Sequence, residues 1–256
     1  MKEGNQNSMG SSDMLDTQRS LFSEMKQIIH SYVKRNSHDY IPKLGEFRAS
    51  SIPYCKRKIL LEKDITRYLK PEIIESIKSD EKEELFGSHI SGQIIHEAIQ
   101  DALQVRVESI EGKVGVSTGK YSLVGHYDLL IRDNDGDLVV IDIKTTMKPV
   151  DQLPVAPHTI QLMAYQGMLG GIKGGLLYVN RNSWEMFYYS QNFVKPIFSQ
   201  LIIKIAELGR DEELQILPEP IPEYHSECGN DFYKCKYYSY CFPEGKELNK
   251  IDKNND

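Results

Sequence analysis

Two aspartates and a lysine sit in this sequence where charge is hard to place. Leu138-Val139-Val140-Ile141-Asp142-Ile143-Lys144 is an apolar run that ends in an acid and a base. Such runs form strands buried on both faces, and charges inside them need partners. Tyr121 to Arg132 reads as a preceding strand, and Asp133-Asn134-Asp135-Gly136-Asp137 as the turn between the two, a hairpin pattern. A hairpin symmetric about Asp135 sets Asp128 opposite Asp142, each seven residues from the centre. Their Cβ atoms would then be ~4.5–5.5 Å apart, with Lys144 on the same strand face as Asp142. Carboxylates that close repel unless something compensates, and a divalent cation with oxygen ligands does so. The plainer reading is an Asp–Lys pair where a strand end meets solvent, and a one-residue bulge would break the register.

Other chemistry-bearing residues divide into those with company and those without. Asp133, Asp135 and Asp137 alternate like a calcium loop, but its glycine and glutamate positions hold Leu138 and Lys144, so a turn is the better reading. Gln161 and Tyr165 lie one helical turn apart and share a face, as packing residues also would. His96 falls in a helical stretch, where a surface histidine is the ordinary case. His126 shares a strand face with Asp128 and is read as structural. Four cysteines are present, Cys55 far from Cys228, Cys235 and Cys241. In a reducing compartment paired disulfides are not expected.

The elements that must position these residues follow from periodicity and breakers. Helices are predicted at Leu21–Arg35 and Leu85–Val105, the latter with Phe86, Ile90, Ile94, Ala98 and Ala102 as its apolar stripe. Ser51 is a candidate cap for another helix, with Pro53 in its first turn and Cys55 just inside. A helix over His158–Leu169 is followed by strands Gly175–Asn180 and Trp184–Ser190, then a helix over Asn192–Leu208. A Pro-rich stretch from Leu217 to Pro222 leads into the cysteine-rich end. Helix, three or four strands with a helix inserted, then helix indicates a mixed α/β domain.

Composition narrows the class. With 256 residues, 40% hydrophobic and 27% charged, the chain suits one soluble domain with appendages. No apolar run reaches the ~18 residues of a membrane span, and the polar start is unlike a secretory signal. A cytoplasmic protein with no membrane association is expected. Residues 1–20 and 246–256 read as flexible tails, and 21–245 as a single domain with an N-terminal helical part, 21–84, and a cysteine segment, 218–245. The net charge of −6 argues against a protein that coats nucleic acid non-specifically. Any nucleic-acid path must be a local basic stripe, for which Lys56-Arg57-Lys58 is a candidate, or else a solvated helix face. No phosphate-binding loop is present, so no ATPase motor is fused here.

Four short blocks occur in order: Gly92-Gln93-Ile94-Ile95-His96, Gly125-His126-Tyr127-Asp128, Asp142-Ile143-Lys144-Thr145 and Gln161-Leu162-Met163-Ala164-Tyr165. They are similar to the G-x-x-x-H, G-x-x-D, D-x-K-T and Q-x-x-x-Y motifs of the RecB-like PD-(D/E)XK nucleases. Within that family the chain most resembles the CRISPR-associated exonucleases with an iron–sulfur cluster, over about Cys55 to Cys241. The resemblance implies a restriction-endonuclease-like core, a mixed central sheet flanked by helices, with a cysteine cluster joining N- and C-terminal parts. It implies His96, Asp128, Asp142 and the Ile143 carbonyl as metal ligands, with magnesium or manganese as the ion. Asp128, Asp142, Lys144, Gln161 and Tyr165 would be the catalytic set, the last two orienting Lys144 and the scissile phosphate. The reaction implied is phosphodiester hydrolysis by a metal-activated water, with Lys144 orienting or deprotonating it.

The one-plus-three cysteine layout also resembles the iron–sulfur nucleases, where four thiolates hold a 4Fe-4S cluster. The family's C-x-x-C spacing would put a cysteine at Phe232; here six residues separate Cys228 from Cys235. Zinc is the rival occupant. Tyr233, Tyr237, Tyr238 and Tyr240 either stack on single-stranded bases or shield the cluster from water. The function expected is a DNA exonuclease acting on single-stranded ends, in CRISPR spacer acquisition beside integrase proteins or in repair, recombination or viral DNA processing. The alternative is a non-cleaving DNA-binding module held together by its cluster.

Overall fold

A computed structural model of the chain describes residues 42–79, 86–103, 107–222, 228–230 and 233–243. The expected tails and the helix expected at Leu21–Arg35 lie outside them. A six-stranded sheet organises the rest. Its order is β1 (Glu46–Arg48), β3 (Tyr121–Arg132), β4 (Leu138–Thr146), β5 (Lys173–Asn180) and β6 (Met186–Gln191), with β2 (Ser109–Thr118) paired to β3 off this path. Both β1–β3 and β4–β5 are parallel and the other pairs antiparallel. The sheet is mixed, as expected, but β1 and β2 were not legible in the sequence. β1 is only three residues long, and β2 is a half-exposed strand carrying Ser109, Gly112, Lys113 and Gly115, residues of low strand preference.

β4 is the centre. Its odd residues Val139, Ile141 and Ile143 pack with Leu129, Val179 and with Ile95 and Ile99 of α3 (Phe86–Leu103). Val140 faces the other cluster, with Leu176 and Tyr178 of β5, Leu162 and Tyr165 of α4 (Ala156–Met168), and Leu201, Ile205 and Leu208 of α5 (Lys195–Glu213). Alternation along a strand thus lays α3 on one face and α4 with α5 on the other. The stripe expected on α3 is off by one residue. Ile94 is 57% exposed and Ala98 and Ala102 are exposed, whereas Ile95 and Ile99 are buried. The helix turns its two larger branched residues inward, because they bury more apolar surface than alanines do.

Two further helices, α1 (Lys56–Lys63) and α2 (Pro71–Ser79), precede α3. α1 is capped by Cys55 itself, whose Sγ accepts from Lys58 N at 3.4 Å, and not by Ser51. The basic run on α1 is engaged internally. Lys56 pairs with Glu207 at 3.2 Å, Arg57 Nη1 donates to the Pro218 carbonyl at 2.7 Å and stacks over Tyr240, and Lys58 lies over the Tyr54 ring. That removes the run as the expected DNA stripe. A two-stranded sheet, β7 (Gly229–Asn230) and β8 (Tyr233–Lys234), and a single turn, α6 (Tyr238–Cys241), complete the described chain. No described helix is long and apolar enough to cross a membrane.

Candidate active site in a forked sheet

The hairpin register is the one symmetric about Asp135: Arg132 pairs with Leu138, Ile131 with Val139, Leu130 with Val140 and Leu129 with Ile141. Asp133 holds the turn, its Oδ1 accepting from Asp135 N and Asp137 N. Pairing then stops one step short of Asp128 and Asp142. β2 runs along one edge of β3 from Tyr121 to Leu130, so the other edge is shared. β4 occupies it at Leu129–Arg132 and β1 at Ser122–Val124. The strands fork between them, along Gly125–Asp128.

The expected site residues converge on this fork. Asp128 Oδ2 accepts the Ile143 N–H, so a side chain takes over where the backbone ladder ends. Asp142 is 2% exposed. Lys144 Nζ lies 2.8 Å from Asp142 Oδ2 and donates to Gln161 Oε1 at 3.1 Å, and Gln161 Nε2 donates to Tyr165 Oη at 2.9 Å. From the opposite layer, His96 on α3 brings Nδ1 to 3.7 Å from Asp128 Oδ2, an electrostatic contact beyond hydrogen-bond reach. The two glycines of the motifs make room. A Cβ on Gly125 would meet Tyr165 Cε1 at 2.6 Å, and one on Gly92 would meet Thr145 Oγ1 at 3.1 Å. His126 is exposed and takes no part.

The electrostatics follow from burial. Desolvation pushes both Asp128 and Asp142 up to about 6, opposed by the charge of Lys144. Burial also works against the charged form of Lys144, but Asp142 and Asp128 outweigh it and its pKa is raised. An ammonium held this way orients and stabilises negative charge; it is not poised to take a proton. His96 is lowered, first by burial and then by Lys144, which leaves a neutral imidazole with a lone pair to give. Two neighbours escaped sequence reading. Glu111, on the unexpected strand β2, adds its negative charge at Asp128 and His96. Tyr178, fully buried, accepts from Val155 N at 3.0 Å and contacts His158 Nδ1 at 2.8 Å beside the site.

Asp142 Oδ2 is a buried carboxylate oxygen whose near neighbour is the Lys144 ammonium at 2.8 Å. Two carboxylates, a neutral imidazole and the Ile143 backbone beside it form an oxygen-rich set that suits magnesium or manganese. Among the described residues no three His, Cys, Asp or Glu side chains stand arranged to hold an ion. Lys144 and the Ile143 N–H occupy the two carboxylates, so a cation would have to displace the former from Asp142.

Comparison with known proteins places this geometry. The sequence model of the PD-(D/E)XK nuclease superfamily matches residues 59–241. The chain belongs to the PD-(D/E)XK nuclease superfamily. It is 29% identical over 126 residues to the CRISPR-associated exonuclease Cas4 of Saccharolobus solfataricus, a match covering 47% of this chain and 59% of that relative. Its fold is that of the crystal structure of SSO0001, with a TM-score of 0.59 at 19% identity, covering 85% of this chain and 96% of the other. In this PD-(D/E)XK chain the four motif blocks read from the sequence all reach one fork.

The superfamily match ends at Cys241, the last of four cysteines that line a single cavity, together with Arg57, Lys58, Leu61, Tyr237 and Tyr238. All four are free of disulfides. Within the six-residue gap between Cys228 and Cys235, β7 and β8 pair, Gly229 with Lys234 and Asn230 with Tyr233. The two cysteines are joined directly, Cys235 N donating to the Cys228 carbonyl at 3.0 Å. The longer spacing therefore still delivers Cys228 to the cavity. Burial, against the pull of Arg57, raises the Cys241 thiol, with Cys235 and Cys55 adding to the rise. Tyr237 is 3% exposed and packs with Leu61, Leu69 and Ile77, which leaves its ring no open face for base stacking.

Proposed function

We propose that this PD-(D/E)XK protein is a metal-dependent DNA exonuclease that hydrolyses phosphodiester bonds at single-stranded ends. The observation that carries the reading is the fork: Asp128 and the buried Asp142 meet at its mouth, with the Lys144 ammonium 2.8 Å from Asp142 Oδ2. His96, Asp128, Asp142 and the Ile143 carbonyl would hold magnesium or manganese, which supplies Lewis-acid stabilisation of charge on the phosphate. Lys144 presents a persistent positive charge toward the same point, positioned by Gln161, which Tyr165 steadies in turn. Gly125 leaves the space in which the Tyr165 ring reaches the fork.

The cysteine cavity is read as the seat of a 4Fe-4S cluster, with zinc the alternative occupant. What supports the reading is the kind and number of donors, four thiols lining one cavity and none in a disulfide, although they do not stand at metal-holding distances. A cytoplasmic setting, where such thiols stay reduced, goes with this reading. The likeness to a CRISPR-associated exonuclease favours work beside integrase proteins in spacer acquisition over stand-alone repair or recombination. A time course on 5′- and 3′-labelled single- and double-stranded DNA, with magnesium, manganese or EDTA, tests the activity. Mononucleotides or short products released from single-stranded ends only with metal are expected. Internal cuts alone, or cleavage unaffected by EDTA, would refute it.

A further inference from the structure

The only tryptophan of the chain, Trp184, is 54% exposed, although a large ring is costly to leave in water. It stands at the tip of the β5–β6 hairpin with φ 60°, in the left-handed region that side chains rarely adopt. A dense set of hydrogen bonds imposes that conformation. Trp184 N donates to the Asn180 carbonyl at 2.9 Å, and Asn180 N donates to the Glu185 carbonyl at 2.9 Å. Asn180 Oδ1 accepts from Asn182 N at 2.9 Å and Ser183 N at 3.2 Å. The ring is thus held outward by a fixed turn, the arrangement expected where backbone strain serves binding.

The tip lies at the catalytic end of the sheet. Asn180 is in register with Thr146, two residues past Lys144 on β4, and Arg181 N donates to the Thr146 carbonyl at 3.0 Å. Strand rise and spacing put the Trp184 backbone roughly 10–15 Å from that of Lys144. Beyond Thr146 the chain continues through Met147, 61% exposed, and exposed Lys148. Lys148 and Lys144 both bear on His158, which burial and then those two charges hold down at about 4. In a chain of net charge −6, Lys148 sets an exposed cation on this rim, where the exposed acids are Asp151 and Glu185.

We propose that Trp184, with Met147 and the cation Lys148, forms a platform for single-stranded DNA beside the catalytic fork. A base stacks on the indole while Lys148 meets an adjacent phosphate. The inference deepens the nuclease reading and rests on it. The occupant is a nucleic-acid strand because the patch adjoins the fork; stacking accounts for an indole held outward at the hairpin tip, and phosphate contact for the exposed Lys148. The strand passes over it within a few nucleotides of the cutting point.

Trp184 reports on itself, since no other indole is present. Full-length protein in EDTA is titrated with an oligothymidylate and, in parallel, with an abasic deoxyribose-phosphate polymer, reading intrinsic fluorescence. Quenching by the oligonucleotide and not by the abasic polymer is expected. Trp184→Ala should weaken oligonucleotide binding about 5- to 100-fold, with Trp184→Phe recovering most of it, and Lys148→Ala should flatten the salt dependence. Equal quenching by both polymers, or no fluorescence change in a preparation that degrades the same oligonucleotide when metal is added, would overturn the platform while leaving the nuclease intact. A folded preparation that degrades no DNA under any metal, yet shows base-dependent quenching, would support the platform and refute the nuclease reading.

Discussion

Lys144 bridges two elements: its Nζ lies 2.8 Å from Asp142 Oδ2 on its own strand and 3.1 Å from Gln161 Oε1 on α4. A buried ammonium tied to a carboxylate and an amide has little freedom, so its charge is delivered to one place. Lys144→Ala removes that charge and leaves Asp142 uncompensated. The expected effect is a loss of about 10²–10⁴ in kcat for DNA cleavage, measured under saturating metal, with the fold retained by circular dichroism. Lys144→Arg should not rescue, because the planar guanidinium does not fit the geometry set by Gln161.

Gln161 and Tyr165 act through Lys144. Tyr165→Phe deletes the hydroxyl that accepts from Gln161 Nε2 at 2.9 Å. The loss of one buried hydrogen bond costs about 1 kcal/mol. Cleavage should fall about 5- to 10-fold in kcat with KM for DNA little changed, as steady-state kinetics would read.

Gly125→Ala probes the room that the tyrosine needs. The new methyl would meet Tyr165 Cε1 at 2.6 Å and Ala49 Cβ at 3.1 Å. Overpacking of this kind costs about 1–3 kcal/mol, or about 2–12 °C in Tm for a chain of this size. Activity at a temperature where the variant is folded should fall as well, because the ring is pushed from the fork.

Protonation at the fork links stability to pH. Asp128 has its folded pKa raised to about 6, above the ~3.9 of an unfolded chain. Its effect on stability is therefore absent at low pH and becomes a cost as pH rises from about 4 through 6. In EDTA, Asp128→Asn should be more stable than the wild type at pH 8, by on the order of 3 kcal/mol, and equal to it near pH 4. The amide still accepts the Ile143 N–H. Metal affinity of the wild type should climb through pH 6, since the ligands must be deprotonated. Chemical denaturation at both pH values, with and without manganese, checks the sign.

Cys228→Ser tests whether the cysteine beside β7 completes the second site. Anaerobically purified wild type should carry about four iron atoms per chain, and the variant should lose most of them, as metal analysis and electron paramagnetic resonance would show. About one zinc per chain and no iron would favour the zinc alternative.

Much of this architecture was legible from residue types alone. The apolar run interrupted by Asp142 and Lys144 marks a central strand, and the turn symmetric about Asp135 sets the register through Leu129 and Ile141. The fork itself was not legible, because it opens between β4 and β1, a three-residue strand, while β2, a polar and glycine-bearing strand with little sequence signal, holds the other edge of β3. Glu111 was missed with β2. The face of α3 was misjudged because Ile94 and Ile95 are adjacent isoleucines, and only tertiary packing decides which one turns inward. Lys56-Arg57-Lys58 looked like a DNA stripe since sequence does not show that Glu207 and the Pro218 carbonyl lie opposite.

The central claim is that the fork at Asp128, Asp142 and Lys144 cuts DNA with a divalent ion. Its most direct test is cleavage of end-labelled single-stranded DNA by the wild type, Asp142→Ala and Lys144→Ala, each with magnesium, manganese or EDTA. Cleavage by the wild type with metal, none in EDTA and none by either folded variant is the expected result. Cleavage that persists in Asp142→Ala, or a folded and cluster-loaded wild type that binds DNA without cutting it under either metal, would contradict the account.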